Sequence, residues 1–145
     1  MYHIPQVKLL MVKDGAVKSE VKAIHGSQDV FNLMSGYFAG HDREEFAVLL
    51  LDTKHKVNGV HTVSIGSVNM SIVHPRETFK AAIVCNASAV ILVHNHPSGD
   101  PTPSQEDRTL TARLKECGTL LGIPVIDHVV IGDGRYESFA DQGWL

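Results

Sequence analysis

Cysteine is scarce in this chain of 145 residues. Cys85 and Cys117 lie far apart and outside any Cys-x-x-Cys spacing, so they read as two buried thiols in a reducing cytoplasm. Basic charge is also in short supply. The net charge is −3 and the pI is near 6.3, which lacks the footprint of a protein gripping a phosphate backbone. No apolar run approaches membrane-spanning length, and residues 46–51 are the longest strongly apolar stretch. Met1-Tyr2-His3-Ile4-Pro5 shows no basic region followed by a long apolar one, so no signal peptide is expected and the expected location is cytoplasmic. Repeats, low-complexity segments and linkers are absent. So are His-Glu-x-x-His and the Pro-Cys-x-x-Cys of a nucleoside deaminase.

What is present fits one domain, and 43% apolar content supports a real core. Residues 7–12 and 16–24, joined across Lys13-Asp14-Gly15, read as a hairpin extension at the edge of the main sheet. Ser27 is positioned to cap a helix over 28–38, with Val30, Phe31, Leu33 and Met34 on its apolar face. Residues 46–51 read as a central strand, 52–58 as a turn and 59–65 as a second strand. The polar stretch 67–71 is a candidate active-site loop. Pro75 fits the first position of a helix over 76–85. Residues 89–93 form the next strand and should neighbour 46–51. The helix after Ser104 carries Leu110, Leu114, Cys117 and Leu121, and stops at Gly118 or Gly122. Strands over 125–131 and 136–139 complete an α/β pattern, a mixed β-sheet flanked by helices.

The chain turns on His94-Asn95-His96-Pro97-Ser98-Gly99-Asp100-Pro101-Thr102-Pro103-Ser104-Gln105-Glu106-Asp107. Side chains two apart on an extended segment share a face, about 6.6–6.8 Å apart, so His94 and His96 can reach one ion while Asn95 points away. The three prolines keep the loop extended and exclude helix. Asp107 then falls in the first turn of the following helix. Two imidazoles and a carboxylate make the donor set of a three-ligand zinc site with an open fourth position. A plainer reading stands beside it: Ser-x-x-Asp before an apolar periodic segment resembles a capping box, in which neither Ser104 nor Asp107 does chemistry.

His-x-His, seven residues, Ser, two residues, Asp resembles the JAMM (MPN+ or JAB) metalloprotease motif, with the spacing matched in full. A wider stretch over residues 40–145 resembles the RadC branch of that superfamily. It runs from Arg43-Glu44-Glu45-Phe46 through Ser64-Ile65-Gly66-Ser67-Val68-Asn69 and His74-Pro75-Arg76-Glu77 to Ile126-Asp127-His128. The resemblance implies a cytidine-deaminase-like α/β/α fold and a Zn2+ cofactor held by His94, His96 and Asp107. Ser104 matches the serine that hydrogen-bonds water or an oxyanion. Glu45, directly before the strand at 46–51, fits the general base, with Glu44 the neighbouring alternative, since strand alternation lets only one face the site. The family commonly carries a helix-hairpin-helix domain ahead of this one. Here 1–25 is expected as a short hairpin extension to a catalytic core over 26–145, with no helix-hairpin-helix domain.

The implied activity is zinc-dependent hydrolysis of a peptide or isopeptide bond by a metal-bound water and a glutamate base. The expected partner is a peptide or protein substrate. Two other functions compete. One is a nucleic-acid-binding accessory to DNA repair, which the charge and the missing helix-hairpin-helix region weaken. The other is a metal-binding scaffold without turnover, against which the intact ligand set argues. No membrane partner is expected. Among the remaining histidines, His74 reads as turn packing and His128 as a satisfied core histidine more than a site residue. His3, His25, His41, His55 and His61 show no partner in the sequence.

Overall fold

The computed structural model describes residues 1–69 and 71–145; Met70, within the polar stretch 67–71, lies outside the described residues. In chain order the elements are α1 (Ser27–Phe38), β1 (Glu45–Leu51), β2 (Val57–Ile65), α2 (Pro75–Val84), β3 (Ala89–Asn95), α3 (Gln105–Leu121), β4 (Val125–Ile131) and β5 (Tyr136–Ser138). The five strands form one mixed sheet in the order β2-β1-β3-β4-β5. β1 runs antiparallel to both β2 and β3, β3 and β4 are parallel, and β5 returns antiparallel on β4. The mixed sheet flanked by helices matches the expectation, as does the β1–β3 pairing.

Every residue of β1 and β3 is buried, because helices cover both faces of the sheet. Such strands read as continuous apolar runs without alternation. The alternation reappears in which helix each side chain meets. Phe46, Val48 and Leu50 of β1 join Val90 and Leu92 of β3 against Phe79 and Ala82 of α2 and Leu110 and Leu114 of α3. Ala47, Leu49 and Leu51 join Ala89, Ile91 and Val93 against Val30, Leu33, Met34 and Phe38 of α1. The result is three layers with α1 on one side and α2 and α3 on the other. Each large apolar side chain buried there contributes about 1.5–3 kcal/mol relative to exposure.

Several local expectations need correction. No hairpin forms over residues 7–24, where the pairing is limited to an isolated bridge from Ala23 to Lys56. Tyr2, Ile4, Val7, Leu9, Leu10 and Val12 are all exposed. A lone two-stranded hairpin is marginal in water, and here no sheet edge receives it. Ser27 is the first residue of α1 and not its cap. Asp29 Oδ2 holds the backbone N–H groups of His25 and Gly26 at 2.8 and 3.2 Å, while the Ser27 hydroxyl meets Tyr136 and Asp141. His74 does pack at a helix start, as expected, and caps it there, its Nδ1 accepting from the backbone N–H of Arg76 at 3.0 Å. The two cysteines are unpaired but only half-buried. Among the described residues no helix is long and apolar enough to cross a membrane.

Of the two glycines at the end of α3, Gly122 stops it, in a left-handed conformation at φ 73°. Gly118 serves packing. A Cβ there would stand 2.6 Å from the backbone oxygen of Ile123 and 3.3 Å from the backbone nitrogen of Val125. In an open helix, alanine outranks glycine by about 1 kcal/mol. At this position the sign reverses: Gly118→Ala is expected to destabilise by about 1–3 kcal/mol through overpacking. Urea unfolding should show it as a lower midpoint with an unchanged slope.

Candidate metal centre

β3 runs two residues beyond the expected 89–93, so His94 belongs to the strand itself. Its backbone lies between Phe46 of β1 and Val130 of β4, and its side chain is fully buried. It shares the face of Val90 and Leu92, which is the face that α3 covers. His96 follows, its N–H donated to Ile131 O at 2.8 Å. A tight turn then closes from Gly99 N to His96 O, with Gly99 at φ 92°. The proline-rich segment returns the chain to Ser104, and Asp107 arrives 4% exposed in the first turn of α3. His94 Nε2 and His96 Nε2 stand 3.0 Å apart. Asp107 Oδ1 is 3.4 Å from the first, and Asp107 Oδ2 is 3.4 Å from the second.

The protons show what this cluster can hold. His96 Nδ1 faces the carbonyl oxygen of Asp100 at 2.8 Å. A carbonyl only accepts, so His96 carries a proton on Nδ1, and its Nε2 faces Asp107 and His94. Positive charge, either a second proton on His96 or a bound cation, satisfies these facing acceptors. Burial raises the carboxyl pKa of Asp107, but the contacts with His94 and His96 outweigh it and hold the group well below the ordinary carboxylate range. The Asp107 contact likewise raises His96 against its desolvation, with Asp100 and Glu44 adding to the rise. Both shifts say that the site favours positive charge. A tetrahedral ion with N and O ligands at about 2.0–2.2 Å has ligand–ligand edges of about 3.3–3.6 Å, the range of the two Asp107 contacts. The donor set and its spacing therefore fit a metal ion.

Ser104 fulfils the capping reading: its Oγ accepts from Asp107 N–H at 3.1 Å, and Asp107 Oδ2 accepts from Ser104 N–H at 2.8 Å. The same carboxylate faces both histidines, so capping and metal-site geometry coexist. Ser104 is exposed at the rim. His128 is fully buried, and burial pushes its imidazole well below the ordinary histidine range. Its Nε2 stands 2.7 Å from His94 Nδ1. His128 is thus the satisfied core histidine that its place on an apolar strand suggests, with His94 as one of its partners. Beside His96 opens a groove of about 420 Å³, lined by Phe31, Phe38 and His41 on one side and Gly99 and Gly132 on the other.

The structure brings Glu44, and not Glu45, to the histidines. Glu44 Oε1 lies 3.7 Å from His96 Nε2, and Glu44, His94 and His96 each bring a donor atom within 4.8 Å of the others. Strand parity is the reason. Phe46 sits directly opposite His94 on the α3 face, so Glu44 shares that face and Glu45 takes the α1 face. There the Glu45 carboxylate pairs with His41, three residues beyond α1. Asn95 fixes this register with one amide. Its Oδ1 accepts from Glu45 N–H at 2.7 Å, and its Nδ2 donates to Arg43 O at 3.0 Å. Gly66 N–H holds Glu44 O at 2.7 Å. The peptide groups on both sides of Glu44 are thus anchored while its side chain reaches the cluster. Asn95→Ala leaves a buried N–H unpaired and is expected to cost about 1–3 kcal/mol, read by chemical denaturation.

With this geometry in view, comparison with known proteins is informative. Residues 24–144 match the family model described as a RadC-like JAB domain. A UPF0758 protein of Caldanaerobacter subterraneus is 51% identical over 129 residues, covering 89% of this chain and 55% of that protein. One from Methanosarcina mazei is 49% identical over the same length, covering 89% and 56%. One from Desulfitobacterium hafniense is 52% identical over 122 residues, covering 84% and 54%. The chain thus spans about half the length of these relatives, whose names carry no activity. The sheet order, the three layers and the matched residues lead to one conclusion: this chain belongs to the RadC-like JAB-domain family.

Proposed function

We propose that this chain is a zinc-dependent metallohydrolase that cleaves a peptide or isopeptide bond. The observation that carries the reading is the cluster of facing acceptors, His94 Nε2, His96 Nε2 and the Asp107 carboxylate, with a second carboxylate, Glu44, beside it. His94, His96 and Asp107 would hold the ion, and the N/O donor set suits zinc. When bound, zinc supplies Lewis acidity, lowering the pKa of water to about 7 and polarising a carbonyl.

Glu44 takes the role first assigned to Glu45. It is partly exposed, on the same face as His94, and within reach of water at the cluster. Its carboxylate accepts the proton of the attacking water as oxygen bonds to the carbonyl carbon, then delivers that proton to the amine as the C–N bond breaks. Ser104 accepts a hydrogen bond from Asp107 N–H, which leaves its own hydroxyl hydrogen free for the carbonyl oxygen as negative charge develops. The groove beside His96 offers an extended substrate segment a place alongside the site.

Protein purified without added metal should contain about one zinc per chain by elemental analysis. His96→Ala with Asp107→Ala should abolish it; zinc retained by that double variant would refute the ligand assignment. Glu44→Gln should keep the zinc and the fold but lose about a hundred- to ten-thousandfold in rate on a cleavable peptide substrate found by unbiased proteolysis profiling. Glu45→Gln should lose far less. The opposite order would return the base to Glu45.

A further inference from the structure

Behind the donor set lies a chain of buried polar contacts that ends where it began. Thr111 Oγ1 donates to the backbone carbonyl of Asp107 at 2.6 Å. The same oxygen stands 2.6 Å from His128 Nδ1, and His128 Nε2 stands 2.7 Å from His94 Nδ1. A threonine hydroxyl has one hydrogen, and the carbonyl can only accept. With that hydrogen given to Asp107, Thr111 accepts from His128 Nδ1–H, and neutral His128 accepts from His94 Nδ1–H at its Nε2. All three contacts are then hydrogen bonds. The reverse order, with Thr111 donating to His128, leaves the 2.6 Å contact with the Asp107 carbonyl without a proton. It also points a His94 Nε2–H into the site. Aromatic rings wall the two imidazoles. Phe46 stacks on His94 with centroids 6.0 Å apart, and Phe139 stacks on His128 at 4.7 Å. Both Thr111 and His128 are buried.

We propose that Thr111 and His128 form a proton-ordering relay that holds His94 as its Nδ1–H tautomer and so turns the Nε2 lone pair toward the metal position. Both are positioning residues acting through His94. The relay begins on the backbone of Asp107, so the helix turn that presents the carboxylate also sets the protonation of the facing imidazole. His96 achieves the same tautomer independently, through the carbonyl of Asp100. The relay's effect on affinity rests on the metal-centre reading; the tautomer itself does not.

The test uses the full chain. Nitrogen-15 spectra of the metal-free protein should show His94 protonated on Nδ1. Thr111→Val keeps the shape but removes the hydroxyl, and should shift His94 toward the Nε2–H form. Zn2+ affinity, measured by competition with a chromophoric chelator, should fall about 10–100-fold in that variant. Thr111→Ser, which keeps the hydroxyl, should restore both readouts. His94 spectra identical in the wild type and Thr111→Val would overturn the relay, whatever the zinc affinity. Failure of the wild type to bind Zn2+ would instead overturn the metal-centre reading, and the metal-free spectra would still decide the relay.

Discussion

A fully buried imidazole at the end of β3 sets the terms for everything around it. His94 reaches no water, so each of its ring nitrogens must be satisfied from within the protein. One nitrogen meets His128, and the other meets His96 and the Asp107 carboxylate. That second side is an arrangement of acceptors, stable only around a positive charge. The sheet makes the arrangement rigid. β3 is paired on both sides, antiparallel to β1 and parallel to β4, so the histidine cannot turn away without breaking a central ladder. The fold therefore holds the cluster in a geometry that a free chain would avoid.

The same ladder explains which parts of the site were legible in the sequence. His94, His96 and Asp107 were legible because their convergence follows from local rules: a two-residue step on a strand, a proline-stiffened loop and a helix start. Glu44 was harder. Glu44 and Glu45 are adjacent, and a strand buried on both faces carries no alternation to say which parity meets which helix. That assignment needed the Phe46–His94 register. His128 was harder still, since its partners Thr111 and His94 come from separate elements. Asn95 follows the same pattern. It does point away from the ion position, as strand geometry requires, and there it anchors the turn that carries Glu44.

The architecture was readable where apolar runs were long, and unreadable where a local signal needed a tertiary partner. The runs at 46–51, 89–93 and 125–131 became the three central strands. Asp14-Gly15 was a sound turn signal, yet residues 7–12 found no ladder, and a turn alone cannot hold two strands together. Ser27 is a good cap by type, but Asp29 ties the N–H groups of His25 and Gly26 from inside the helix, and the serine turns to Tyr136 and Asp141. In both cases the local chemistry is sound and a tertiary competitor decides the outcome.

The capping box and the candidate metal site, rival readings of the same four residues, are mechanically linked. A carboxylate that merely faced two imidazoles would be free to swing at the helix start. Asp107 cannot, because Oδ2 is tied to the N–H of Ser104 while its own N–H is tied to the Ser104 hydroxyl. The helix N-terminus adds a favourable field for that negative charge. Nor does the cap exhaust the serine, since an accepted hydrogen bond occupies a lone pair and leaves the hydroxyl hydrogen available. One reciprocal pair of bonds thus ends the loop, starts α3 and orients a carboxylate, and it leaves a donor at the rim beside the cluster. Local stability and site geometry are here the same set of contacts, which is why the sequence pattern could be read either way.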